Sequence, residues 1–425
     1  MGLHQVQTIT PDLLVAGGGT AGCAAAIAAA RRGHSVLLVE EANALGGTST
    51  TGGVAEWFAS LNGLGDIFDS VQAELQRYGS RYSRHFNPEH LKIIWQLLAE
   101  QAGVRLLLHT SLISAATDGP RVTSAGLVSC SRALTAQARC FIDCTGEGDL
   151  AALAGAEFDQ GDPATGRTLH MTLTFTLHDT GRPVTPYLPP GLSPIDTEAD
   201  LPGLLALAPL GDGRVYCNMT KVMGHDPTDP LSLTDAECDA RRQVARILHL
   251  LQRTRYPTHS LCATGARIGI REGRRIRGGY VLTQDDILGS EPCDFPDGVA
   301  VATSQIDFHS LTRPGNAGWR QRVEPYAIPL RCLLVRGFDN LLVAGKCVSA
   351  DQVVQSSLRM TPTCCAMGQA AGTAAALALE GGLADVREVD VPMLREVLQA
   401  DGMELDPRRH EAFAPSPLET RDQSV

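Results

Sequence analysis

The chain has 425 residues, with 36 Lys and Arg against 47 Asp and Glu, for a net charge of −11. A single core rarely grows past roughly 250 to 300 residues, so the length points to two domains. The negative balance argues against broad contact with nucleic acid or an anionic membrane surface. The 12 cysteines are scattered, without a CxxC pair or the His/Cys spacing of zinc sites, which fits a reduced cytoplasmic protein that holds no metal.

Residues 1–11 lack the charged and apolar regions of a signal peptide, and no uninterrupted apolar run of about eighteen residues follows, so no membrane segment is expected. The apolar run 13–16 predicts a buried parallel strand, the small residues of 20–32 a helix stopped by Gly33, and 35–39 a second strand. Asn87 as N-cap, Pro88 at the first helical position and Gly103 past the end predict a helix over 88–101. "VRLLLHT" then supplies a third strand. Short alternating runs from Leu112 to Ala138, broken by "TDGP", predict a small antiparallel meander. "RCFIDCTGEGDLAALAGA" reads as strand, glycine turn and helix.

Beyond residue 156 the texture changes. Prolines cluster over 183–202 and "LHMTLTFTL" alternates like a sheet strand, so 157–324 reads as an inserted domain. Residues 325–385 return to the strand, glycine and helix style of 1–156, which makes the first domain discontinuous. The remainder, 386–425, holds a last helix near 391–398 and a polar tail expected to be disordered.

Gly17, Gly19 and Gly22 form a GxGxxG set directly after a strand and opening a helix, the context that makes the motif informative. Gly17 permits the tight turn, Gly19 clears the approach of a pyrophosphate, and Gly22 lets helix and strand lie close. The alanines of the helix keep it thin, so its N-terminal N–H groups can face the anion. Glu40 ends the second strand about twenty residues on, where a carboxylate binds ribose hydroxyls and repels a 2′-phosphate, disfavouring NADP. A glycine turn in an ordinary α/β unit is the plainer alternative. The loop by itself does not separate NAD from FAD.

Five stretches carry a resemblance: "GGGTAGCAAAIAAARRGHSVLLVEE", "LGGTST", "DCTGEGDLAALAGAEF", "IREGRRIRGGYVLTQDDIL" and "LLVAGK" with "SLRMTPTCCAMGQAAGTAAALAL". In these the sequence resembles the FAD-dependent oxidoreductases of the glutathione-reductase-like superfamily, near the fumarate reductase and succinate dehydrogenase flavoproteins, over roughly residues 12–380. The resemblance implies an α/β fold: a Rossmann-like FAD-binding domain with a parallel sheet and small meander, plus an inserted mixed α+β substrate domain. It implies FAD, with Gly17, Gly19, Thr20, Ala21 and Gly22 around the pyrophosphate and Glu40 with Glu41 at the adenosine ribose. Gly46, Gly47 and Thr48 would follow the ribityl and flavin side, with Leu112, Thr145 and Gly146 at the adenosine end. Gly345 and Lys346 would return to the pyrophosphate. Relatives tend to carry Arg at the Lys346 position, and a lysine offers a point charge in place of a bidentate fork.

Under the same resemblance Thr361 caps the last long helix and Pro362 begins it. The N–H groups of Thr363, Cys364 and Cys365 would then face the flavin and favour its anionic reduced state by ~0.3 to 2 kcal/mol. A plain buried helix with a Thr-Pro start is the alternative. Where disulfide reductases of the superfamily carry a redox cysteine pair, this chain reads "GGTSTTGG". No second GxGxxG marks an NAD(P)H domain. No histidine between Glu40 and Gly53 matches the flavin-linking residue of membrane-bound fumarate reductases, so the FAD is expected to be noncovalent.

For chemistry a flavin site needs a proton carrier and often a cation that orients the substrate. Arg267, Arg271, Arg274, Arg275 and Arg277 surround Glu272, either as a salt-bridge network or with Arg271 or Arg275 clamping an acidic substrate. His309, in "QIDFHSLTRPGN" where similar family members carry an acidic residue and a histidine, is the first choice for acid/base work, against a structural role. Arg313 shares that turn. His170 alternates with apolar residues and suits either pocket or core. Tyr326 and Arg359 complete the catalytic candidates, and Cys364 and Cys365 read as packing residues. The expected activity is hydride transfer between flavin N5 and a small organic substrate, with a flavin monooxygenase, or structural FAD in a binding module, as the alternatives.

Overall fold

The computed structural model describes residues 7–211 and 213–413. Residues 414–425, the end of the expected polar tail, lie outside the described residues; the part of that tail before them is ordered and carries the 3-10 turn Pro407–Arg409, contrary to the expected disorder. The chain begins with β1 (Leu13–Ala16), α1 (Thr20–Arg31) and β2 (Val36–Val39). All four residues of each strand are buried, as an interior strand of a parallel sheet demands. Gly33, at φ +88°, ends the first helix turn as the sequence predicts.

Next come α2 (Asp66–Arg77), α3 (Pro88–Gln101) and β3 (Arg105–Leu107). Asn87 caps α3 by accepting the Glu89 N–H at 3.0 Å. The predicted meander is β4 (Ser111–Asp118), β5 (Arg121–Ser129) and β6 (Arg132–Ala136), with Gln7–Ile9 added parallel to β6. Then follow β7 (Cys140–Asp143) and α4 (Asp149–Leu153).

Residues 157–324 carry a second, antiparallel sheet made of β8 (Phe175–Asp179), β9 (Leu207–Gly211), β10 (Arg214–Cys217) and β11 (His259–Thr264), in the order β9-β10-β8-β11. The long helix α5 (Pro230–Arg253) lies between β10 and β11 in sequence, and its buried residues Ala236, Ala240, Val244 and Ile247 share a core with Leu173, Phe175 and Leu177. A hairpin of β12 (Ile306–His309) and β13 (Gly318–Gln321) sets Asp307 opposite Arg320 and His309 opposite Gly318. The chain returns through β14 (Leu341–Val343), α6 (Gln352–Leu358), α7 (Thr361–Glu380) and α8 (Val391–Ala400).

The parallel sheet has the order β14-β7-β1-β2-β3. Strand β1 sits at its centre, with its successor β2 on one side and the much later β7 on the other. Chain connections diverge there, so the loops at the carboxyl ends leave a crevice between them. Helix α7, with its residues from Pro362 to Leu379 buried, crosses α1 where Gly368 and Gly372 meet the backbone of Ala21 and Ala25. Among the described residues no helix is long and apolar enough to cross a membrane.

Candidate functional site

The loops leaving β1, β2, β7 and β14 open on a cavity of about 1910 Å³. That is roughly twice the upper end of ordinary small-molecule pockets, room for a dinucleotide and a second molecule. Three glycines shape one end for three separate reasons. Gly17 turns at φ +90° with a Cβ site 2.5 Å from the Cys144 carbonyl oxygen. At Gly19 a Cβ would meet nothing within 4 Å, because the position faces the cavity. At Gly22 a Cβ would lie 1.8 Å from the Gly17 carbonyl oxygen, so the helix start closes on its own loop.

The second glycine loop crosses the first, with a Cβ at Gly47 placed 2.9 Å from the Gly19 Cα. Both carboxylate oxygens of buried Glu40 accept main-chain N–H groups, from Gly18 and Ala42, each at 2.7 Å. The acid therefore braces the glycine loop while it lines the cavity. After β7, Asp143 accepts the N–H and hydroxyl of Thr145 and the N–H of Ala151 at 3.0, 2.8 and 2.8 Å, fixing the turn that presents Gly146. The Lys346 ammonium is seated on the Glu147 carboxylate. Burial raises the pKa of Glu147, and Lys346 opposes that shift.

Polar groups from four distant stretches converge at the other end. Asp307 is their hub: its Oδ2 meets His309 Nε2 and Arg359 Nη2, each at 3.0 Å, and its Oδ1 accepts from Arg320 Nε at 3.1 Å. The His309 ring stands edge-on to His170, with centroids 4.5 Å apart at 88°. Arg271 donates to the His170 carbonyl oxygen at 3.3 Å and to the Thr172 hydroxyl. Lys221 Nζ donates to the carbonyl oxygens of Arg313 at 2.8 Å and Gly315 at 3.1 Å. Neither Arg271 nor Lys221 has a carboxylate in ion-pair reach among the described residues.

Electrostatics follow from that census of four cations around one carboxylate. Burial, reinforced by neighbouring positive charge, pushes Arg271 down to about 9 and Lys221 down to about 8. Burial pushes His309 down to about 4 even though Asp307 works the other way, and it holds His170 well below the usual imidazole range. Burial disfavours the charge of Asp307, yet His309, Arg359 and Arg320 together keep it well below the usual carboxylate range. At neutral pH the site therefore holds two neutral imidazoles, one carboxylate and an excess of positive charge. A buried lysine and a half-buried arginine without an anionic partner are costly unless something negative joins them.

A family model described as FAD dependent oxidoreductase matches residues 12–398. The chain belongs to this family. It is an oxidoreductase, its cofactor is FAD, and the cofactor end fits that group: Gly19 leaves an open cradle that a side chain would fill, with Glu40 at the end of β2. A search of curated proteins gives no match. Among solved structures, a geranylgeranyl bacteriochlorophyll reductase-like protein from Thermoplasma acidophilum is 11% identical, with 97% of this chain and 95% of that one covered and a TM-score of 0.49. A myxobacterial chondrochloren halogenase is 14% identical over 92% of this chain and 79% of that one, TM-score 0.48. A flavin-dependent brominase is 13% identical over 92% and 84%, TM-score 0.49. These are likenesses of shape.

The predicted residues divide cleanly. Of the cofactor positions, Gly22, Pro362 and Thr363 stand behind the cavity wall and the others line it. The helix that was to start at Pro362 starts one residue earlier: Met360 is the N-cap, and the Cys364 N–H is not free but donates to the Met360 carbonyl oxygen at 2.9 Å. Thr361 and Cys364 are the residues of that helix start that reach the cavity. Of the arginine-rich stretch only Arg271 joins the charged cluster. Arg275 is buried against Glu272 away from the cavity, while Arg274 pairs with Asp149, Arg277 with Asp159 and Arg267 with Glu41.

Tyr326 is also displaced from its expected role. It is fully buried in an apolar strand, and its hydroxyl donates to Ser357 Oγ at 2.8 Å, off the cavity. We expect Tyr326→Phe to leave flavin reduction unchanged within about twofold while lowering stability by ~0.5 to 1.5 kcal/mol, read by stopped-flow absorbance and urea unfolding. Lys221 and Arg320 sit in no motif, and sequence reasoning passed over both. The one available signal was the rarity of lysine in this chain; Arg320 is paired with Asp307 only by the β12/β13 register.

Proposed function

We propose that this FAD-dependent oxidoreductase acts on a small organic anion, with a carboxylate as the group recognised, in the branch near the fumarate reductase and succinate dehydrogenase flavoproteins that its motifs resemble. When bound, FAD supplies a hydride acceptor or donor. The remaining tasks fall to the chain. Residues 157–324, with their own core around Leu173, Phe175 and Val244, act as the substrate domain against the cofactor-binding portions 1–156 and 325–385. We read the FAD as noncovalent and the protein as cytoplasmic.

The observation that carries the substrate class is Arg271, a half-buried arginine on the cavity wall with no carboxylate in ion-pair reach among the described residues. With Lys221 beside it, it would hold the anion and exclude water from the space around His309. In the neutral imidazole Nε2–H is donated to Asp307, and Nδ1, whose lone pair meets Arg320 Nη2 at a long 3.5 Å, is the proton acceptor once Arg320 turns to the anion. A docked anion offsets the positive charge of Arg271 and Arg320 that now depresses His309, so its proton affinity rises when a substrate proton must leave. Asp307 then stabilises the imidazolium and keeps the ring oriented.

The test is a panel of 2-hydroxy, 2-amino and saturated carboxylates, each with its uncharged amide, added anaerobically to the FAD-loaded protein. Bleaching of the flavin by a carboxylate and not by its amide is expected. R271Q should raise the half-saturating concentration about 10- to 100-fold, the loss of one charge-assisted contact. Equal bleaching by acid and amide would remove the anion from the proposal. NAD(P)H-driven oxygen consumption coupled to hydroxylation would replace it with the monooxygenase alternative.

A further inference from the structure

Among the described residues, Lys346, Arg274 and Arg267 line the cavity around Glu147. Lys346 is committed to the buried Glu147 carboxylate. Arg274 donates to the Glu147 carbonyl oxygen at 3.2 Å and to Asp149 at 2.9 Å, and its guanidinium lies 5.4 Å from the centroid of the Phe158 ring. Arg267 differs from both. Its partner Glu41 is half exposed, and its other terminal nitrogen stands 4.0 Å from Glu147. An ion pair open to water holds a guanidinium only weakly, so the arm of this fork on Glu41 can exchange that partner for a stronger anion while the other stays near Glu147.

The backbone that carries Arg267 is fixed on both sides. Ala266 N–H donates to the Thr51 carbonyl oxygen at 2.8 Å, and Ile268 N–H donates to Glu237 Oε1 at 2.6 Å. Immediately before it, a Cβ at Gly265 would lie 2.7 Å from the Gly52 carbonyl oxygen, and Thr174 donates its hydroxyl to that same oxygen at 2.9 Å. Residues 265–268 are thereby pressed onto the loop that runs from Gly46 to Gly53. The turn comes from the 157–324 segment, yet it roofs a loop of the cofactor-binding portion.

We propose that Arg267 is a cofactor-binding residue, a guanidinium lent by the inserted segment that grips the phosphate part of FAD in place of a Lys346 already neutralised by Glu147. A planar fork suits pyrophosphate oxygens, and its charge offsets an anion that the surrounding Glu40, Glu41, Glu147 and Asp149 would otherwise oppose. The insertion thus contributes to holding the cofactor as well as to the substrate end. This inference needs FAD alone and no substrate.

The experiment is equilibrium ultrafiltration of the full-length holoprotein at several FAD concentrations and ionic strengths, for wild type, R267Q and R267K. We expect R267Q to raise the FAD Kd by about 10- to 100-fold, as loss of a charge-assisted contact to phosphate does. Its log Kd should depend less steeply on salt than that of wild type, and R267K should recover part of both effects. ADP, which keeps the pyrophosphate and lacks the flavin, should lose the same factor as a competitor. An unchanged Kd in R267Q overturns the proposal. So does a raised Kd with an undiminished salt slope, the signature of a strut whose loss loosens the fold.

Discussion

The double variant G368A/G372A is expected to lose its FAD and about 2 to 4 kcal/mol of stability, measured by flavin release and chemical unfolding. Two effects oppose each other here. Alanine in a helix interior is favoured over glycine by about 1 kcal/mol per site, so on propensity alone α7 would gain. The packing says otherwise. A Cβ at position 368 would lie 2.1 Å from the Ala21 carbonyl oxygen, and one at 372 would lie 2.2 Å from that of Ala25. Both obstacles are backbone of the buried stretch of α1, which no rotamer change relieves, so α1 and α7 must separate by about an ångström. Overpacking costs about 1 to 3 kcal/mol for each site even where side chains can yield. Separation also moves Gly19 and Thr20, the start of α1, which line the cofactor end of the cavity. Unchanged stability in the double variant would show that the two helices are free to shift and that their close approach contributes little.

Those contacts also mark how far the sequence could be read. The glycine motif, the Glu40 carboxylate, the Asn87 cap and the meander were legible because each is a local arrangement in which neighbouring residues satisfy one another's geometry. The pairing of Gly368 and Gly372 with Ala21 and Ala25 was not, since nothing near either pair announces its partner more than three hundred residues away. The charged cluster was half legible. His309 and Arg359 stood out by residue type, but the carboxylate that joins them also draws in Arg320 across a hairpin whose register no propensity dictates. In the arginine-rich stretch, spacing gave no means of telling Arg271 from Arg275. The difference is made by Glu272, whose carboxylate takes Arg275 together with the N–H groups of Gly161 and Leu169. Tyr326 was misjudged for a related reason: a tyrosine in a buried strand has its hydroxyl satisfied wherever a partner lies, and Ser357 supplies one behind the wall.

Asp307→Asn is expected to slow substrate-driven flavin reduction by ~10²- to 10⁴-fold, the range lost when acid/base catalysis is removed. The amide keeps an acceptor for His309 and thus the ring's orientation, but it carries no charge to stabilise the imidazolium formed as the substrate proton leaves. The pH dependence separates this account from simple unfolding. His309 in the free enzyme is held down to about 4, with burial lowering it and Asp307 raising it. Neutral imidazole is the competent form for accepting a proton, so the acid limb of kcat/KM is expected near pH 4 in wild type and lower still in the variant. Stability carries the same sign: an imidazole whose folded pKa lies below its unfolded value contributes stability above the unfolded value of about 6.5, and that contribution is lost as pH falls toward 4. Removing the carboxylate also leaves Arg359 and Arg320 uncompensated. Losing one partner of a buried pair costs about 3 to 5 kcal/mol, and the retained acceptor puts this variant at the lower end. The same uncompensated charge should tighten the site for a small anion, so sulfite, which bleaches flavins, should titrate D307N at equal or lower concentration than wild type. Slower turnover with undiminished anion binding is the expected pattern. Loss of both together would assign Asp307 to the scaffold and remove His309 from the chemistry.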